Sequence, residues 1–167
     1  MILSDATIHR LAITDIAPPL IHPYDGERLQ PASYDLSLGE LDKPCSESGF
    51  RGRFWTIDPG ETCLGSTVET ITLPPTLAAR CEGKSSVGRM FLLVHVTAGW
   101  IDPGFVGQIT LEFANLSKNV LTLREGMSIC QISFMELDRE CENPYSGHYM
   151  GQQGPTPARY TYQRMAQ

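Results

Sequence analysis

The sequence predicts a mainly β protein, a distorted β-barrel or jelly-roll-like body with a short helix in front and a functional arm behind. Three observations predict it. Twelve prolines and fifteen glycines cut the 167 residues into short runs, the punctuation of a turn-rich β protein. The runs between them are rich in Val, Ile, Thr and Leu, and several alternate apolar with polar residues, as half-buried strands do. From Asn143 onward the periodicity lapses into Tyr, Gly, Gln, Pro and Arg. Such a tail is either disordered or folded over something. Its aromatics, Tyr145, Tyr149, Tyr160 and Tyr162, argue against plain disorder. The length suits one compact domain, residues 1–167, with 143–167 as the arm.

The elements follow in order. Residues 4–11 read as a helix with Ser4 as N-cap. Residues 17–31, rich in proline and polar side chains, read as loop. Strands are predicted over 34–38, stopping at Gly39, over 63–73, stopping at Pro74-Pro75, and over 77–81. One helical turn, started by Ser85 or Ser86, is expected between Lys84 and Met90. Further strands are predicted over 92–97, 107–115, 120–123 and 128–137, with a turn at 124–127 joining the last two as a hairpin. Residues 40–55 carry no pattern that assigns them, and no internal repeat is present.

Composition narrows the function classes. Apolar residues are 41% and charged residues 19%, an ordinary soluble globular balance. A net charge of −6 argues against general nucleic-acid binding, which needs a basic stripe. It leaves room for a small phosphorylated ligand, which a few local cations can hold. The longest apolar runs, such as 90–94, fall far short of the ~20 residues that span a bilayer, and no signal peptide is legible. The five cysteines, Cys45, Cys63, Cys81, Cys130 and Cys141, are scattered without a CxxC pair. That pattern favours reduced thiols in a cytoplasm over zinc or a disulfide framework.

Three stretches can carry chemistry. Gly83-Lys84-Ser85-Ser86-Val87-Gly88-Arg89 offers backbone N–H groups, hydroxyls and two cations to an anion. Arg89 can grip a phosphate by a bidentate fork. The same residues can equally form a capped surface helix. In residues 95–105 a β-run breaks at Gly99 and at the turn Asp102-Pro103-Gly104. Asp102 there can be a turn-capping residue, and His95 reads as a satisfied core histidine. In residues 108–113 alternation places Glu112 with Gln108 and Thr110, opposite Ile109, Leu111 and Phe113. Glu112 is then either an outward carboxylate on a wet sheet face or a partly buried one whose raised pKa would suit proton transfer.

Taken together, these stretches resemble the dCTP deaminase branch of the dUTPase-like superfamily. The matching residues are 82–89, His95-Val96-Thr97-Ala98, Ile101-Asp102-Pro103-Gly104-Phe105 and Leu111-Glu112-Phe113. Upstream, Gln30-Pro31-Ala32-Ser33-Tyr34-Asp35-Leu36 resembles the family's early strand. Downstream, Gly151-Gln152-Gln153-Gly154-Pro155-Thr156-Pro157 resembles its phosphate-covering arm. The resemblance implies a homotrimer of distorted β-barrels with active sites between subunits, working on dCTP without zinc. Glu112 would be the general acid/base, with Ser85 and the carbonyl of Ala98 orienting the attacking water. Lys84, Ser86, Arg89, Tyr145, His148 and Gln152 would hold the triphosphate, with Mg2+ bound through it. Asp102 would hold the sugar region, and in relatives that go on to dUMP it positions a second water for triphosphate cleavage. Ala98-Gly99-Trp100-Ile101-Asp102, including Trp100 in the substrate site, looks more like those bifunctional members. Their resemblance also implies dCTP and dUTP as ligands and dTTP as a feedback inhibitor.

There are departures. His148 stands where the family usually has Lys, the loop from Tyr145 to His148 is short, and residues 40–55 match nothing. Competing readings are a dUTPase-like diphosphatase without deamination, a non-catalytic nucleotide sensor on the same fold, and a β-barrel interaction module. Glu112 separates the first of these from a deaminase, since dUTPases have no use for this carboxylate.

Overall fold

The computed structural model describes residues 1–14, 18–48 and 52–159. Chain order is α1 (Asp5–Ala12), β1 (Ile21–His22), β2 (Leu29–Gln30), β3 (Ser33–Leu41), β4 (Ser46–Ser48), β5 (Gly52–Ile57), β6 (Thr62–Thr72), β7 (Leu77–Gly83), α2 (Ser85–Gly88), β8 (Leu92–Leu93), β9 (Trp100–Ile101), β10 (Val106–Asn115), β11 (Leu121–Arg124) and β12 (Ser128–Glu136). The large sheet runs β8-β10-β6-β3-β12-β7-β9, with β1 added beside β6 and β2 beside β3, and it curls into a half-barrel. A smaller sheet runs β11-β5-β4. All named pairings are antiparallel.

The core follows from period-2 alternation. On β10, Ile109, Leu111 and Phe113 are buried, while Gln108, Thr110 and Glu112 are only half-buried on the other face. Ile132 and Phe134 on β12 and Leu36 and Leu38 on β3 join the same cluster. Trp55, Ile57 and Leu123 bring the small sheet into it. At Gly65 the Phe113 ring presses on the strand, and a Cβ there would lie 2.5 Å from it. Only glycine admits that ring against β6.

Most predicted strands form, with shifted ends. Strand β3 does not stop at Gly39: it continues to Leu41 through a register shift against β6. A Cβ at Gly39 would meet the Thr67 carbonyl oxygen at 3.0 Å, so this glycine permits close strand packing rather than a turn. The strand expected over 92–97 is cut to two residues. Phe91 and Thr97 adopt positive φ of 61° and 67°, which a strand cannot hold.

The hairpin of β11 and β12 does not form. The turn exists, with Met127 N–H donating to the Arg124 carbonyl and Gly126 at φ 76°. But it hands the chain from one sheet to the other: β11 pairs with β5, and β12 lies between β3 and β7. Hydrogen bonds from Gly126 N to Leu38 O (2.7 Å) and from Leu38 N to Met127 O (2.9 Å) tie the turn to β3 instead.

Helix α1 starts where expected, but the Ser4 hydroxyl makes no capping bond; the Ser4 carbonyl accepts the first helical N–H groups instead. Helix α2 opens at Ser85, with Lys84 in the N-cap position. The loop expected over 17–31 holds the short strands β1 and β2; Ala17 lies outside the described residues. The tail is hydrogen-bonded along β10 as far as Thr156. Gly151 N donates to Val106 O (2.7 Å), Gly154 N to Gln108 Oε1 (2.6 Å) and Thr156 N to Thr110 Oγ1 (3.3 Å). Tyr160 and Tyr162 lie outside the described residues.

Candidate active site

The site residues expected from the sequence gather in two places. The first is a cleft of about 430 Å3 between β10, β9 and the arm, with Glu112, Ala98, Trp100, Asp102, Tyr145 and Gln152 on its walls. The second is an open cavity beside α2 that takes in Lys84, Ser85, Ser86 and Arg89, together with Asp35 and Gln131. Within one chain these groups line different cavities. His148 lines neither; it is exposed, and its carbonyl accepts from Arg159 Nη1 at 2.6 Å.

Glu112 projects from β10 into the cleft. Its Oε2 accepts the Val96 N–H at 3.0 Å, so one carboxylate oxygen is anchored. The positive φ at Thr97 turns the following residues back, and Ala98 reaches the same cleft. Gly99 then lets the chain rejoin the sheet. Cys81 N–H donates to the Gly99 carbonyl at 2.8 Å, and a Cβ at Gly99 would lie 2.5 Å from the Cys81 carbonyl oxygen. Strand β9 pairs Trp100 with Arg80 and Ile101 with Ala79. The predicted turn follows: Phe105 N donates to Asp102 O, and Gly104 has φ 89°. Asp102 is exposed, and its Oδ1 accepts from Trp100 Nε1 at 2.9 Å.

Aromatic rings line the cleft on the arm side. Tyr145 packs on Phe105 with centroids 5.9 Å apart, and its hydroxyl accepts the Tyr149 N–H. Gln152 is held against β10: Nε2 donates to Gln108 O at 2.8 Å, and its carbonyl accepts Gln108 N at 3.0 Å.

In the second cavity, Val87 is buried and fixes the short helix, leaving Ser85, Ser86 and Arg89 exposed. Lys84 makes an ion pair with Asp35, a carboxylate only 4% exposed. Sequence reasoning gave Asp35 no role. Its signal was available, since a lone carboxylate on an apolar strand needs a cation when buried. Phe105 and Tyr149 were missed for a different reason: an aromatic in a loop does not announce which cavity it faces.

His95 departs from the satisfied core histidine that was expected. Its Nε2 lies 3.1 Å from Glu82 Oε2, but its buried Nδ1 has no hydrogen-bond partner among the described residues. The hydrogen bond from Arg80, and then that with His95, holds the Glu82 carboxyl below its ordinary range.

Comparison with known proteins defines first the fold class and then the family. The structure superposes on a 2'-deoxycytidine 5'-triphosphate deaminase from Agrobacterium tumefaciens with a TM-score of 0.64 at 23% identity, over 80% of this chain and 48% of that one. This chain therefore spans about half the length of that solved protein. A dUTPase from phage phi11 of S. aureus gives a TM-score of 0.51 at 13% identity, over 82% of this chain and 94% of the other. These likenesses make the fold dUTPase-like. The model of the dCTP deaminase-like family matches residues 39–137. A dUMP-forming dCTP deaminase of Bifidobacterium longum is 40% identical over 95% of this chain and 94% of its own length. One from Dictyoglomus thermophilum is 40% identical with the same coverage. The chain belongs to the dCTP deaminase-like family.

Proposed function

We propose that the protein hydrolyses dCTP to dUMP, first releasing ammonia from the base and then diphosphate. Net, dCTP and water give dUTP and ammonia; dUTP and a second water give dUMP and diphosphate. The observation that carries the first step is Glu112 in the cleft with one oxygen anchored by Val96 N–H. The other oxygen is left to take a proton from water attacking C4 of cytosine, and to pass protons to N3 and to the departing ammonia. Ala98 lines the same cleft, and in this reading its carbonyl orients that water. Asp102, across the cleft, serves the second hydrolysis.

The cations and hydroxyls at Lys84, Ser85, Ser86 and Arg89 lie outside that cleft in one chain. In this reading a second copy supplies them: its α2 brings Ser85 to the water and Ser86 and Arg89 to the triphosphate. The site is then shared between subunits of a homotrimer, and Tyr145 and Gln152 of the arm close it. Among the described residues no three His, Cys, Asp or Glu side chains converge as a metal cage. In this reading magnesium would arrive on the substrate's phosphate oxygens, where it would neutralise charge. The enzyme would work in the cytoplasm, supplying dUMP.

The test uses two variants. Glu112→Gln keeps the shape but removes the proton acceptor, and ammonia release from dCTP should fall at least about a hundredfold. Arg89→Ala should also be inactive, through triphosphate binding. When the two are co-assembled, activity should return to about a quarter of wild type, the share of sites that combine the two intact halves. Continued deamination by Glu112→Gln would remove it as the base. No recovery on mixing would remove the shared site.

A further inference from the structure

Trp100 is a large side chain left 55% exposed on a two-residue edge strand. Its single donor is nevertheless spent within the protein, on Asp102 Oδ1 at 2.9 Å. Residues two apart on an extended chain share a face, so both side chains stand over the cleft while Ile101 between them is buried. Among the described residues, this is the one hydrogen bond to the Asp102 carboxylate.

The backbone under the pair is fixed from both sides. Before it, Gly99 is held against Cys81, and Trp100 is in register with Arg80. After it, Gly104 N donates to Leu73 O (3.1 Å), and Pro103 O accepts Tyr145 N from the arm (2.8 Å). Neither residue can slide, so the indole N–H sets the carboxylate plane. With Oδ1 occupied, Oδ2 is the acceptor left without a hydrogen bond among the described residues, on a side chain that lines the cleft.

We infer that Trp100 is the positioning residue for diphosphate release, acting through Asp102, so that its loss weighs more on that step than on the deamination. The inference rests on the proposed second hydrolysis. In that step water oxygen bonds to the α-phosphorus of dUTP, and the bond from that phosphorus to the bridging oxygen breaks. Asp102 Oδ2 takes the water proton, and the electron pair leaves with diphosphate. A carboxylate free to rotate would present its lone pair to the water only part of the time, and orientation of this kind is worth orders of magnitude in rate.

The experiment compares wild type, Trp100→Phe and Trp100→His with dCTP and, separately, with dUTP, each with Mg2+. Ammonia, dUTP, dUMP and diphosphate are measured. Trp100→Phe keeps a ring over the cleft but lacks the N–H. It should lower kcat for dUTP roughly tenfold or more with KM little moved, and release free dUTP during dCTP turnover. Trp100→His, which retains a ring donor, should recover part of the loss. A dUMP-to-ammonia ratio equal to wild type in Trp100→Phe would overturn the inference, as would an equal fall of both reactions or a change confined to KM. Wild-type enzyme that forms dUTP but no dUMP would also overturn it. Failure of the function reading looks different: no ammonia from dCTP with wild type, while the dUTP arm still judges Trp100.

Discussion

At the scale of single residues, the chemistry rests on how a carboxylate is surrounded. Glu112 and Glu69 sit on paired strands yet have opposite surroundings. Glu112 faces a cleft with one anchored oxygen. Glu69 is 2% exposed and accepts both the N–H (2.8 Å) and the hydroxyl (2.7 Å) of Ser37. Burial raises the Glu69 pKa above its ordinary 4.5, and the bonds from Ser37 offset only part of that. The folded state thus holds the proton to higher pH than the unfolded chain does. Between the two pKa values the native state binds more protons, so stability falls as pH rises through that window. Glu69→Gln should flatten this fall, read as urea midpoints from about pH 4 to 8. An unchanged slope in the variant would assign the pH dependence elsewhere.

Single residues were also where the sequence was most and least informative. Asp102-Pro103-Gly104 announced its turn, because those side chains favour that backbone. Asp35 on an apolar strand signalled a need for a cation, but not which one, because Lys84 lies 49 positions away and only the curl of the sheet joins them. The positive φ of Thr97 was equally hidden, since a β-branched residue favours extended backbone. It is the contact between Val96 N–H and Glu112 that goes with this bend.

At the scale of elements, the site depends on how closely β9 can approach β7. Gly99 sets that distance. In Gly99→Ala the new methyl would overlap the Cys81 carbonyl, and relief requires β9 to move outward. The expected cost is about 1–3 kcal/mol of stability. A displacement of Trp100 and Asp102 by about 1 Å would slow turnover roughly a hundredfold. Thermal unfolding together with the rate of dUMP formation checks both. A variant that loses neither would show that β9 has slack. The strand β9 itself was not legible: two residues between a glycine and an Asp-Pro turn carry no periodicity. Strand β10 was, because residues 108–113 alternate polar with apolar side chains.

At the scale of the whole molecule, glycine and proline punctuation was enough to read a β-rich body, since it limits every run to strand length. Connectivity was not legible. The turn at 124–127 looks local, but its two arms pair in different sheets, β11 with β5 and β12 with β3 and β7, even though Leu123, Ile129 and Ile132 share one core. Strands β4 and β5 escaped notice for the same reason: β4 pairs with β5, and β5 is held by the distant β11 and by an ion pair of Arg53 with Glu125 at 2.5 Å. The division of the site residues between two cavities is a property of this scale too. Motif order along the chain does not reveal it, since it says nothing about which elements come to line one cavity.

The most direct test of the account is to incubate the purified protein with dCTP and Mg2+ and separate the products. Ammonia, diphosphate and dUMP should form in equal amounts, with little free dUTP. Turnover of neither dCTP nor dUTP would contradict it.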